Sequence, residues 1–237
     1  MRLHLASICL LLVACSHNAL DPGAGSDPGT GTGTLSVNGD ARAQSDVANS
    51  KVDTDFTTEF SVELSLAGMP VTTGTVTVRS SSGTTTLTFD NTAGQNGRWR
   101  GQAANYDEVY ELNVISGTDK ISAVYVDGPD IHTFTLPTLG ASIDPSMATD
   151  TKWARAAAAQ QAEISFGDQN GLSISDSGTY SIPMYAIPYE KDQTKMDRIR
   201  LTRTNSIAPK GAVGGSSFSV SVAQELDVIA TACPTCP

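Results

Sequence analysis

Phe60-Ser61-Val62-Glu63-Leu64-Ser65-Leu66 alternates apolar and polar side chains without a break. Successive side chains of a strand point to opposite faces, so this spacing sets Phe60, Val62, Leu64 and Leu66 inward and Ser61, Glu63 and Ser65 toward water. The same period recurs at Val76-Val78, Leu87-Phe89, Leu112-Val114 and Phe134-Leu136. Between these segments lie Ser81-Ser82-Gly83, Asn91 to Gly97 and Ser116-Gly117-Thr118-Asp119, whose residue types favour hairpin loops. Roughly seven strands of ordinary length fit between Leu35 and Leu136, at the spacing of a β-sandwich.

A second set follows Pro137-Thr138-Leu139-Gly140, which reads as a linker. It comprises Ile164-Phe166, Tyr180-Ile182, Ile199-Leu201, Phe218-Val220-Val222 and Leu226-Val228-Ala230, while Pro183 and Pro188 bracket a segment unsuited to a central strand. Near Trp153 a strand is expected, and after it Ala156-Ala157-Ala158-Ala159-Gln160-Gln161 suits a short irregular or helical turn. The expected fold class is all-β: two tandem antiparallel β-sandwiches, over 35–137 and 141–232, ending in a tail at 233–237.

Composition agrees with thin sheets. The 237 residues are 39% hydrophobic, 17% charged and only 6% aromatic, too apolar for wholesale disorder. With 25 acidic against 15 basic side chains the net charge is −10, and phosphate recognition needs clustered positive charge, so no nucleic-acid partner is expected.

The chain begins with Arg2 and an apolar run from Leu5 to Ala14, the layout of a secretory signal. A membrane-spanning helix needs about 20 apolar residues, so this run is too short to be one. It closes on Leu12-Val13-Ala14-Cys15, which resembles the lipobox of bacterial lipoproteins. That resemblance implies cleavage after residue 14, a diacylglycerol thioether on Cys15 and a further acyl chain, such as palmitate, on its amino group. Two or more chains anchor stably where one does not. Ser16, where Asp would favour inner-membrane retention, implies by the same resemblance an outer-membrane lipoprotein, facing the periplasm or the cell surface. Residues 15–34 are rich in Gly, Pro, Ser and Thr and read as a flexible tether.

Gly97-Arg98-Trp99-Arg100-Gly101, Tyr110-Glu111-Leu112-Asn113-Val114 and Val126-Asp127-Gly128-Pro129-Asp130-Ile131-His132 resemble immunoglobulin-like and fibronectin-type-III-like modules of bacterial surface lipoproteins. The last stretch also resembles carboxypeptidase-regulatory-like modules. Asp176-Ser177-Gly178-Thr179-Tyr180-Ser181-Ile182 is similar to the Asp-x-Gly-x-Tyr-x-Cys stretch of immunoglobulin domains, with Ile182 in the cysteine position. The resemblance implies a tyrosine corner at Tyr180 without the inter-sheet disulfide.

Cys233-Pro234-Thr235-Cys236 admits three chemistries. A redox pair normally opens a helix, and here one residue remains in the sequence; a zinc site needs more ligands than Cys15, His17 and His132 readily supply. A local disulfide formed after export is the leading reading. His132 shares parity with Phe134 and Leu136, which places it at the core or its edge with one satisfied hydrogen bond, although any Ser-His-Asp chemistry would have to use it. The acidic pairs Asp127/Asp130, Asp107/Glu108 and Asp192/Asp197 are candidates for acid–base work or calcium, against the plainer role of solvated turn formers. Trp99 and Trp153 are core residues or, if exposed, sugar-stacking platforms. Arg198, Arg200 and Arg203 read as the wet face of a strand more than as an anion site. No cofactor, metal or catalytic activity is expected. The function so read is a membrane-anchored lipoprotein with a structural or adhesive role and protein or glycan partners. A carbohydrate- or calcium-binding module and a hydrolase are the alternatives.

Overall fold

The computed structural model describes residues 20–92 and 97–236. The signal segment, Cys15, His17 and part of the Asn91 to Gly97 loop lie outside them. The first half contributes β1 (Thr30–Gly31), β2 (Leu35–Ser45), β3 (Phe56–Leu66), β4 (Met69–Pro70), β5 (Thr75–Ser80), β6 (Gly83–Thr86), β7 (Thr88–Asp90), β8 (Arg98–Ala104), β9 (Val109–Ser116), β10 (Asp119–Asp127) and β11 (Thr133–Leu136). The second half contributes β12 (Ser142–Ile143), β13 (Thr149–Ala154), β14 (Gln161–Phe166), β15 (Gln169–Ile174), β16 (Thr179–Ile182), β17 (Lys195–Ile207) and β18 (Ser217–Ala230). The fold is all-β. The strand at Trp153 is followed by irregular backbone, and the alanine-rich stretch forms no helix.

One large sheet runs β15-β14-β17-β18-β2-β3-β8-β7. The five-stranded sheet β1-β10-β9-β5-β6 and the three-stranded sheet β11-β13-β16 complete the architecture. Two apolar cores result. The first gathers Val37, Phe60, Val62, Leu112, Val114 and Val126; the second gathers Trp153, Ile164, Phe166, Ile199, Leu201 and Val228. Alternation along β3 holds from Phe56 to Leu64, but Leu66, expected inward, is 37% exposed at the strand's end.

Four sequence expectations need correction. Phe218-Val220-Val222 and Leu226-Val228-Ala230 are halves of one continuous strand, because Gln224 between them keeps the inward parity. The first half of β18 packs into the first core and the second half into the second, so the cores share β18 across the expected boundary at 137–141. Pro137 to Gly140 is held on the body, with Gly140 N donating to Asp227 O. Pairing is antiparallel as expected except at two places, where β18 runs parallel to β2 and to β12.

The fourth correction concerns the tether. Residues from Leu20 onward are docked: Gly23 N donates to the Asp127 carboxylate, Asp27 bridges Tyr125, and β1 pairs with β10. Composition misled here because backbone pairing needs no apolar side chains. Glycine instead permits close approach. A Cβ on Gly211, whose φ is +80°, would lie 2.2 Å from Gly31 N. We therefore expect Gly211→Val to detach this strap without unfolding the cores, read as new proteolytic cleavage between residues 20 and 34. An unchanged digestion pattern would count against the docking.

Candidate functional site

The outer face of the large sheet carries a trough of about 880 Å³. Its floor is set by short side chains on the two longest strands: Thr202 and Thr204 of β17, and Ser219, Ser221 and Ala223 of β18. Their alternates, Leu201 and Val220 among them, face the cores. Longer side chains form the walls: Glu163 on β14 at one side, and Arg42 and Gln44 on β2, Glu59 on β3 and Gln102 on β8 at the other. Register aligns them across the strands. Thr204 lies opposite Ser221, Ser221 beside Arg42, Arg42 opposite Glu59 and Glu59 opposite Gln102.

Strands lie about 4.8 Å apart, so the two walls are separated by roughly 14 Å across three strand spacings. Charge in the trough is partly internally paired: Arg42 meets Asp40 at 3.1 Å and Arg200 meets Glu225 at 3.5 Å. Burial pushes the Asp40 carboxyl above its ordinary range, against the opposing pull of Arg42, Arg98 and Arg100. Asp46, Glu59 and Glu163 leave the lining net acidic.

A second, smaller cleft of about 460 Å³ is lined by Phe166, Leu172, Tyr180, Pro183, Tyr185 and Pro188. Tyr185 has φ +63°, a conformation uncommon for a bulky residue. The Cys233–Cys236 disulfide lies against the same loop, with Cys233 N donating to Glu190 O.

Several candidate residues have structural partners. Trp99 and Trp153 are buried, their indole N–H groups donating to Val71 O and to the Asp176 carboxylate. Asp127 accepts from Gly23 N, Asp130 from the N–H groups of Ala156 and Ala157, and Asp107 from Ser81 and Ser82. Asp197 accepts from Gly167 N. Among the described residues no group of three or more His, Cys, Asp and Glu converges on a metal position. The corner-like tyrosine bonds occur at Tyr106, whose hydroxyl donates to Pro129 O, and at Tyr110, whose hydroxyl accepts from Asp107 N.

Arg203 was expected on the wet face and is wholly buried. Its parity is that of Ile199 and Leu201, whereas Arg198 and Arg200 point outward to Asp227 and Glu225. Its guanidinium donates to Asp176 at 2.9 Å, to Asp130 at 3.1 Å, and to the carbonyls of Asp130 and Ala157. Burial favours a protonated Asp176, but hydrogen bonds from Ala159, Trp153 and Arg203, with the Arg203 charge, outweigh it and hold the carboxyl below its usual range.

His132 is buried, as its parity implied, and its Nε2 lies 3.2 Å from Leu201 O. A carbonyl only accepts, so the proton sits on Nε2; Nδ1 is buried with no hydrogen-bond partner among the described residues. Burial, reinforced by the Arg203 charge, pushes the imidazole pKa down to about 3. Gln224, donating to Ser50 O, completes a polar layer between the two cores.

No protein-family model matches the chain, and no curated protein matches it. Among solved structures, the crystal structure of DIP-gamma IG1+IG2 aligns with 80% of this chain and 97% of that one, at 8% identity and a TM-score of 0.23. The D0-D1 domain of Intimin aligns with 82% of this chain and 98% of that one, at 10% identity and a TM-score of 0.22. Superpositions this loose assign no residue a role.

Proposed function

We propose that the protein is an exported lipoprotein, held on the outer membrane by lipid on Cys15, whose two-core β body has an interaction or structural role rather than a catalytic one. The observation that carries this reading is the apolar run Leu5 to Ala14 ending on Cys15, ahead of a body built of strands. Ser16 supports the outer membrane by the same resemblance. From Cys15 to Leu20 is five residues, a reach of at most about 18 Å, so the body is carried close to the bilayer. The acidic excess favours solubility there and disfavours adhesion to anionic headgroups. On this reading the trough faces partners, its wall charges being spread across several strands.

Metabolic labelling with a radioactive fatty acid tests the anchor. The intact protein should take up label and fractionate with membranes, and Cys15→Ser should do neither. No label on the wild type, or label retained by Cys15→Ser, overturns the proposal.

A further inference from the structure

We infer that the trough over β17 and β18 is a binding site for a short, neutral, linear oligosaccharide. The inference rests on the interaction reading above and names its ligand class. The first argument is shape. Over Thr202 to Thr204 and Ser219 to Ala223 the paired strands carry short outward side chains between strands with long ones, Arg200 of β17 being the long side chain on the floor, and the resulting channel has the volume of a small-molecule site.

The second argument is chemical matching. The floor hydroxyls of Thr202, Thr204 and Ser221 and the wall amide of Gln102 each donate and accept, while Ser219 Oγ already donates to Gly39 O, Gln44 Nε2 to Glu225, and Asn38 Oδ1 accepts from Ser217, so those three offer only their remaining capacity. A row of groups with both capacities is matched by a ligand that also has both at short, repeated intervals, which describes a polyol chain. An extended peptide offers alternating N–H and C=O groups, but the sheet's own backbone groups are already paired across these strands. Side chains alone would have to hold it.

The third argument is charge. The excess of Asp46, Glu59 and Glu163 repels polyanions, and both lining cations are already paired, Arg42 with Asp40 and Arg200 with Glu225. Among the described residues no aromatic ring lines the trough, so hydrogen bonds exchanged against water hold the sugar. Such bonds return little net free energy, and a Kd on the order of 1 mM is expected.

Saturation-transfer NMR on the full chain with chitotetraose, cellotetraose and maltotetraose tests the site. At least one should receive saturation from the protein. Ser221→Arg, which fills the floor, should weaken the response by roughly tenfold or more, and the exposed wall pair Gln44→Ala/Gln102→Ala should weaken it too with thermal unfolding unchanged. If Ser221→Arg fails to fold, the wall pair alone decides. Silence from all three sugars overturns the inference, as does a response untouched by the variants. Salt-sensitive binding of oligolysine in place of sugar overturns it in favour of a cationic peptide. The titration reads the trough whether or not Cys15 carries lipid, so failure here and failure of the fatty-acid labelling are separate results.

Discussion

Arg203→Met should lower the free energy of unfolding by about 3–5 kcal/mol, the cost of taking one partner out of a buried ion pair. The residue is fully buried, and its guanidinium neutralises Asp176, whose side chain is 2% exposed, together with Asp130. Methionine fills the volume of the alkyl stem but leaves Asp176 beside Arg155 alone and strands the carbonyls of Asp130 and Ala157. At roughly 2–4 °C per kcal/mol for a chain of this size, the melting temperature should fall by about 10 °C. Arg200→Met is the control. Its side chain is 41% exposed on the outer face, where surface ion pairs contribute about 0–1 kcal/mol. Urea unfolding of the two variants side by side checks the claim, and equal, small losses would contradict the burial of Arg203.

That contrast also shows how much of the molecule was legible beforehand. Strands and their inward faces followed from period-2 spacing because alternation is a local property. The parity that buries Ile199 and Leu201 also buries Arg203, so the signal was present; residue type, which nearly always places arginine in water, overrode it. Its partners were not readable. Asp130 lies between β10 and β11 and Asp176 between β15 and β16, and only the three-dimensional path brings them together.

The trough was hidden for the same reason. Its floor follows from short residues on β17 and β18, but its far wall depends on the parallel pairing of β18 with β2, between segments some 180 residues apart. The docked strap escaped notice because its affinity is carried by the backbone, to which composition is blind. His132 was the reverse case: one parity step from Phe134 placed it inward.

His132 makes the second large prediction, a loss of stability in mild acid that a single substitution removes. In the fold its pKa is pushed from an ordinary 6.5 down to about 3, first by burial and then by Arg203. Below pH 6.5 the unfolded chain takes up a proton that the folded chain refuses. Proton uptake by the unfolded state lowers stability, so the loss begins near pH 6.5 and continues until the folded imidazole itself protonates near pH 3. Between pH 7 and 4 this one group costs the fold about 3 kcal/mol. The charged groups that act on it are Arg203, which lowers its pKa, and Asp176 and Asp130, which raise it. Asp176 acts in the same direction but lower, since its depressed carboxyl loses its contribution only as pH falls below the ordinary 3.8. His132→Gln keeps a donor for Leu201 O and carries no titrating ring. The expected result is a wild type that weakens steadily in urea at pH 7, 5.5 and 4, and a His132→Gln variant whose stability changes far less over that interval. Parallel slopes for the two proteins would mean that the imidazole is reached by protons in the fold, and that the polar layer between the cores is open to water.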